Sequence, residues 1–535
     1  MNGHQVPSAA DRTGSQVITA GRNRYADLLR VGAIFAVVYG HWVLSDITYS
    51  GGRLSGLDAL EYVSWGRWIT LLMQVMPVFF LVGGYANAAS LTAHQARGEA
   101  WPTWVRNRVM SLLWPASVYV AVASLLAGLA VAAGVPAAEL AEAGWLIALH
   151  LWFLPVYMLL ILLAPAMLAA HYRWGLAVPA AMAVAAAGVD VAVVGAHVPV
   201  IGYANYFLVW GSAHQWGFAW YDGTLTRKRW RPWLLAGVGL GLLAGLLAWG
   251  PFPVDMIGAG ERITNTGPPS VALLAFAATQ TGLLLAAEPT VNRLLARPGW
   301  WRLVTRLNRQ TMTIYLWHMV PVLVAAVALY PTGLMPQPPA GSARWWALRL
   351  AWFAVLTLLL VPLTAAVMRA ERPLRLLPKG LGRPGPWSPA LLVLGLSLAM
   401  TGLTRFAISG FAPGGKLPWL TLAAFAAGVT LTLISGRERE QRAPVSGPTP
   451  VPDARSGTAT ARQVRMRTAA SQARQLDGRP GLGCVLANDV VGLLMLFGPV
   501  RLGQRWKNDV AGAASGFHRC GKFPAANSIS GPALL

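Results

Sequence analysis

The chain has 535 residues, of which 55% are hydrophobic and only 12% are charged. A soluble protein carries roughly 25% charged residues, so a soluble globular fold is excluded. Apolar runs of roughly 18 or more residues recur, which favours spanning helices over the alternating strands of a barrel. The formal charge of +23 does not indicate nucleic-acid binding, because most Lys and Arg lie in short loops between these runs.

In chain order, the apolar runs predict an all-α, polytopic membrane bundle of about twelve transmembrane helices. Residues 1–25 precede a ten-helix domain at 26–370, and a Pro/Gly/Arg-rich linker at 371–388 leads to an additional helix pair at 389–436. A basic tail at 437–535 is expected to be disordered. The expected spans are 26–45, 68–90, 109–133, 145–170, 172–194, 198–220, 232–250, 270–288, 311–330, 345–368, 389–408 and 416–435.

The basic residues alternate between loops in a way that predicts the orientation. The loops at 97–108, 227–231, 293–309 and 369–383 are rich in Arg and Lys, whereas the loops between them hold few. Because basic loops remain in the cytoplasm, both termini are predicted to be cytoplasmic. The expected location is a cell membrane, and the bacterial cytoplasmic membrane fits best.

The first predicted helix, RYADLLRVGAIFAVVYGHW, carries Arg30 and His41. Eleven residues apart, they lie about 20° from one another around a helix and roughly 16 Å apart along it. Arg30 is suited to hold phosphate oxygens, and His41 is suited to take a proton from a hydroxyl. The alternatives are that Arg30 anchors the helix at the membrane surface and that His41 is a packed polar residue.

Five segments resemble the acyltransferase-3 family of membrane O-acyltransferases, in family order. YADLLRVGAIFAVVYGHW resembles its opening helix with the R-x10-H motif, and MPVFFLVGGYANAASL resembles its FF-x-x-SG helix. WVRNRVMSLLWP is similar to the R-x-x-R-L-x-P run, HLWFLPVYMLL to the LWFL segment and TIYLWHMVPV to the YL-x-H-x-P segment. The resemblance covers residues 24–373. Gly83 stands where the family has Ser, and Ser111 lies near the expected second Arg.

The resemblance implies an acyl-CoA donor and roles for several residues. His41 matches the catalytic histidine and Arg30 a donor-binding arginine, while Arg106 and Arg108 correspond to the basic run. The alternative for Arg106 and Arg108 is that they are ordinary basic residues of a cytoplasmic loop. His318 and Tyr315 are expected near the inner end of their helix, either behind the catalytic residue or on the donor side.

Two further histidines and the cysteines carry weaker expectations. His150 is either an acceptor contact or a packed residue, and His214 is expected to be structural. Cys484 and Cys520 form neither a metal pattern nor a disulfide framework, so no metal site is expected.

The function that follows is transfer of an acyl group, preferably acetyl, from acyl-CoA to a hydroxyl. The expected acceptor is a glycan, a lipid-linked sugar or a secondary metabolite, with no bound cofactor, and membrane lipid is the other expected partner. The alternative is a secondary transporter, because a layout of about twelve helices is common in that class. Carriers need buried carboxylates, but Asp190 and Glu288 are predicted at helix ends.

Overall fold

The computed structural model describes residues 23–58, 63–258, 263–373, 380–381 and 385–436. Most of the predicted N-terminal segment, half of the linker and the basic tail at 437–535 lie outside the described residues. The helices are α1 Arg24–Leu44, α2 Thr70–Met73, α3 Met76–Ala96, α4 Trp101–Ala132, α5 Ala137–Leu146, α6 Phe153–Trp174, α7 Ala177–Val194, α8 Asn205–Tyr221, α9 Trp230–Trp249, α10 Val271–Leu295, α11 Pro298–Asn308, α12 Thr311–Trp317, α13 Val320–Leu329, α14 Ala343–Ala370, α15 Ser388–Ser409 and α16 Trp419–Ile434.

A polytopic helical membrane protein is confirmed. Nine helical segments of the described chain are long and apolar enough to cross a membrane, and α12 with α13 makes a tenth if the bent pair is one span. The shorter apolar α16 and the 17-residue α8 occupy the other two predicted positions. A helix therefore stands at each predicted span, while twelve crossings and the cytoplasmic termini stay predictions.

The expectation of an all-α fold misses a β-hairpin directly after α1. Strands β1 Ser45–Ser50 and β2 Arg53–Asp58 pair antiparallel. Gly51 and Gly52 both have positive φ, which a tight hairpin turn requires and glycine adopts without strain. The hairpin lies at the end of α1 that carries His41.

The predicted continuous span at 311–330 is broken. Helix α12 ends at Trp317, α13 begins at Val320, and their axes differ by 41°. Pro321 has no N–H to donate to the carbonyl four residues earlier, so the helix cannot continue unchanged through this point. The break places His318 and Met319 outside regular helix.

Helices α3 and α8 cross with their backbones in contact. A Cβ added at Gly84 would overlap the carbonyl oxygen of His214, and one added at Gly217 would lie 2.8 Å from the Cα of Gly84. Such small residues allow close packing of membrane helices. The crossing brings Asn87 of α3 beside His214 of α8.

The predicted additional helix pair is packed into the bundle. Phe406 of α15 and the nearby Phe411 are fully buried in the same hydrophobic core as α1 and α3. The backbone N–H of Phe411 donates to the carbonyl of Gly144 at the end of α5 (3.3 Å). The pair thus supports the segment that leads from α5 to His150.

Candidate active site

A cavity of about 230 Å³ lies between α1, α3, α4, α6 and α12. Val37, Phe79 and Phe153 are among the residues that make much of its wall apolar. Arg30, Arg108 and Thr311 come from the N-terminal halves of α1, α4 and α12, and they make this part of the cavity wall polar. The polar side chains on its wall are those of Arg30, Arg108, Ser111, Tyr157, Thr311 and Tyr315.

Arg30 reaches this cavity from α1 and is held by two polar neighbours. Its Nη1 lies 3.6 Å from Oδ1 of Asp27 and donates to Oδ1 of Asn308 at 3.5 Å. The Asn308 amide in turn donates to Asp27 at 2.8 Å. Asp27 is buried and Arg30 is partly exposed. The Arg30 guanidinium thus lies on the cavity wall, next to a buried carboxylate and an amide that is itself bonded to that carboxylate.

Arg108 is held by a second network. Its Nε donates to Oδ1 of Asn87 at 2.9 Å, and the amide nitrogen of Asn87 lies 3.0 Å from Nε2 of His214. Asn87 and His214 are fully buried. His214 was expected to be structural, and here it supports an arginine on the cavity wall through Asn87.

Arg106 is separated from this group. It is 97% buried, and a Cβ on Gly380 would lie 2.7 Å from its Nε. Its guanidinium also lies against the backbone of Gly436, beyond the end of α16. Arg106 is not among the residues that line the cavity, and the donor-binding role predicted for it stays a prediction.

His41 lies in the last turn of α1 and pairs with His318. Nδ1 of His41 is 2.8 Å from Nε2 of His318. The ring centroids are 5.0 Å apart and the planes differ by 11°, so the rings meet edge to edge in nearly one plane. His318 was expected either behind the catalytic residue or on the donor side, and it contacts the predicted catalytic residue directly. His318 is fully buried, whereas His41 is partly exposed.

The break between α12 and α13 makes this pairing possible. Nδ1 of His318 lies 2.7 Å from the carbonyl oxygen of Tyr315, and the indole N–H of Trp42 donates to the carbonyl of His318 at 2.9 Å. The neighbouring residues His41 and Trp42 therefore both bind residue 318. The hydroxyl of Tyr315 donates to the carbonyl of His150 at 2.5 Å, so α12 is also tied to the start of α6.

His150 is fully buried beside the same group. Its ring centroid is 5.0 Å from that of His318 and 5.8 Å from that of Tyr119. A packed residue, one of the two expectations for His150, agrees with this burial. Contact with an acceptor stays a prediction.

Gly83, the departure from the family pattern, has a structural consequence. A Cβ at this position would lie 2.6 Å from Cε2 of Tyr157 and 3.0 Å from its hydroxyl. The absence of a side chain lets Tyr157 enter the cavity wall, where it stacks on Phe153 with planes 11° apart. The phenol places a hydroxyl close to where a serine would have placed one.

Several residues of the site were not singled out from the sequence. Asn87 stands within the recognised FF-x-x-SG segment, and Trp42 directly follows His41, so proximity to a motif was a usable signal. Pro321 in the YL-x-H-x-P segment could have predicted the helix break. Asn308 lay in a loop assigned only to charge, and no sequence pattern indicated its contact with Asp27.

A cavity with two arginines on its wall and a nearby pair of imidazoles, inside a helical membrane bundle, define the class of protein to which this chain was compared. The family model Acyl_transf_3, described as an acyltransferase domain, matches residues 23–369. The chain belongs to the acyltransferase-3 family and is a membrane acyltransferase. Searches of curated proteins and of solved structures returned no match.

Proposed function

We propose that this protein transfers an acyl group, preferably acetyl, from acyl-CoA to the hydroxyl of an acceptor. The observation that carries the proposal is the arrangement along α1. A cavity with Arg30 and Arg108 on its wall is lined along α1 as far as Val37 and is also lined by Tyr315. His41 lies one helical turn beyond Val37, paired with His318.

The donor is proposed to enter at the polar end of the cavity. Arg30 and Arg108 present guanidinium groups, which bind phosphate oxygens through planar pairs of N–H donors. The roughly 16 Å between Arg30 and His41 along the helix is spanned by an extended pantetheine arm. Arg106 is left out of this assignment because it packs against the backbone of Gly436.

His41 is proposed to be the general base. Its imidazole takes the proton of the acceptor hydroxyl as the oxygen attacks the thioester carbonyl. The tetrahedral intermediate collapses with cleavage of the C–S bond, which leaves the acyl group on the acceptor oxygen. The CoA thiolate takes the proton back from His41 and departs as the thiol, so the base is regenerated and no bound cofactor is consumed.

The acceptor is proposed to be a glycan or a lipid-linked sugar of the cell envelope. The predicted orientation puts the donor end of α1 on the cytoplasmic side of a bacterial cytoplasmic membrane and the hairpin end on the opposite side. A hydroxyl reaching His41 from the hairpin end would meet the thioester without passing the donor entrance. This arrangement favours an envelope acceptor over a cytoplasmic one.

Two carboxylates relevant to the transporter alternative, the buried Asp190 and the partly exposed Glu288, are engaged as structural acceptors. Asp190 accepts from the backbone N–H of Val271 at 2.6 Å and from the Asn205 amide at 2.7 Å. Glu288 accepts from the indole N–H of Trp220 at 2.9 Å. Neither contributes to the cavity wall, and the family does not favour a carrier.

The test uses full-length protein purified in detergent, acetyl-CoA and envelope fractions as acceptor. Release of free CoA thiol and incorporation of labelled acetyl are measured together. We expect both with wild type and neither with His41→Ala. A wild-type protein that binds no acyl-CoA while moving a solute in vesicles would overturn the proposal.

A further inference from the structure

We propose that His318 is a positioning residue that fixes the tautomer of His41, so that Nε2 of His41 carries the lone pair used in the reaction. The inference rests on the proposed role of His41 as general base. It concerns which nitrogen atoms carry hydrogens in the hydrogen-bonded series that runs from the Tyr315 carbonyl through His318 to His41. It assigns no residue to donor binding.

The direction of the hydrogen bonds follows from the backbone carbonyl. A carbonyl oxygen only accepts, so Nδ1 of His318, 2.7 Å from the oxygen of Tyr315, carries the hydrogen. In the neutral ring Nε2 of His318 then has a lone pair. Nδ1 of His41, 2.8 Å away, must donate to it. His41 is left with a bare Nε2, the atom able to accept a proton.

The geometry around residue 318 supports a fixed ring. Because the two rings lie nearly in one plane, the hydrogen of His41 points along the lone pair of His318. The indole of Trp42 holds the carbonyl of His318, and the ring of His150 packs against that of His318 at 62°. The imidazole is thereby restrained on its backbone side and on one face.

The same chain serves the reaction after proton transfer. When Nε2 of His41 has taken the hydroxyl proton, its Nδ1–H still donates to His318, and the bond becomes charge-assisted. The opposite tautomer of His41 holds a hydrogen on Nε2 and cannot act as a base there. A histidine oriented by a second group is the arrangement by which serine hydrolases set the tautomer of their base.

The simplest alternative is that His318 only fills space at the helix break. Two variants distinguish a positioning role of His318 from a space-filling role. His318→Met keeps similar bulk and removes the acceptor, whereas His318→Gln places an amide oxygen near the former Nε2 and can still accept from His41. We expect turnover to fall about 10-fold or more in His318→Met, since removing the partner of a metal-bound histidine costs about 10- to 100-fold and removing the partner of the serine-hydrolase base costs about 10⁴-fold. His318→Gln should recover several-fold of that loss, and acyl-CoA binding should be unchanged in both.

A spectroscopic measurement tests the tautomer without any activity. The protein is labelled with ¹⁵N in its nine histidines, and the His41 signals are assigned by their loss in His41→Ala. Wild type should show a protonated Nδ1 and a bare Nε2, and His318→Met should lose this preference.

The possible results are decisive in either direction. A wild-type His41 protonated on Nε2 would overturn the inference whether or not the protein is an acyltransferase. Equal turnover in His318→Met and His318→Gln, with similar thermal stability, would assign His318 to packing. Absence of transferase activity together with the expected tautomer would refute the proposed function and leave the hydrogen-bond chain intact.

Discussion

The two ends of α1 hold their functional side chains in different ways. Arg30 is placed by contacts of 3.5 and 3.6 Å to Asn308 and Asp27, and its side chain is partly exposed. His41 is placed by a 2.8 Å bond to His318, which is itself fixed by a backbone carbonyl. The Arg30 end is thus partly exposed beside a carboxylate, whereas the His41 end belongs to a hydrogen-bond chain that ends on a backbone carbonyl.

This difference fits what each end is proposed to do. Phosphate groups can be held by mobile guanidiniums whose net charge and planar donors matter more than one fixed position. A general base must present one nitrogen to one hydrogen, and small displacements reduce its effect. We therefore expect substitutions at the His41 end to alter turnover and those at the Arg30 end to alter affinity.

The largest effect is expected from removing His41. His41→Ala should lower turnover by about 10²–10⁴-fold, the usual contribution of a general base. His41→Gln should be nearly as inactive, because an amide accepts a hydrogen bond without taking a proton at neutral pH. Single-turnover transfer of labelled acetyl measures this step. Near-normal transfer by His41→Ala would remove the difference between the two ends.

A smaller effect is expected at the donor end. Arg30→Ala should weaken acyl-CoA binding by about tenfold or more, or about 1.4 kcal/mol per tenfold. Arg30→Lys should recover only part, since it keeps the charge and loses the planar fork. Isothermal titration with a non-hydrolysable donor analogue gives the affinities.

Arg24 offers the matched control on the same helix. Its guanidinium lies over the ring of Trp301 and donates to the carbonyl of Leu295, outside the cavity wall. Arg24→Ala should leave donor affinity near that of wild type. Equal loss in the Arg24 and Arg30 variants would mean that general positive charge, and no specific contact, attracts the donor.

The last expected effect concerns folding stability and no functional step, at the helix crossing that positions Arg108. Gly84→Ala drives a methyl group into the backbone of His214, and such overpacking costs about 1–3 kcal/mol. Gly32→Ala on α1 is the control, because a Cβ there meets nothing within 4 Å. Thermal unfolding in detergent should show a lower midpoint for Gly84→Ala alone. Unchanged midpoints in both variants would show that the helix crossing tolerates the extra atom.

The sequence predicted the helices because apolar length is a local signal, and the family motifs singled out residues that the structure brings close together. Helix α1 begins and ends within two residues of its predicted span. Arg30 and Arg108, both expected on the donor side, line one cavity together with Tyr315.

The rest depends on tertiary contacts that no local pattern encodes. Arg106 and Arg108 are two residues apart on α4, but a helix turns them to different faces, and only packing decides which face meets the cavity. The position of His318 depends on the bend before Pro321. That bend was not predicted, because residues 311–330 were treated as one continuous helix. Asn308 joins the site across more than 270 residues of sequence.

The central claim is that one helix separates donor binding from proton transfer, and one paired measurement tests it directly. Acyl-CoA affinity and single-turnover transfer at saturating donor are determined for wild type, Arg30→Ala and His41→Ala, each shown to be folded by thermal unfolding. The account predicts weakened affinity with largely restored transfer at saturation for Arg30→Ala. It predicts near-normal affinity with transfer reduced at least about 100-fold for His41→Ala. Loss of affinity in His41→Ala equal to that in Arg30→Ala, with transfer intact at saturation, would contradict it.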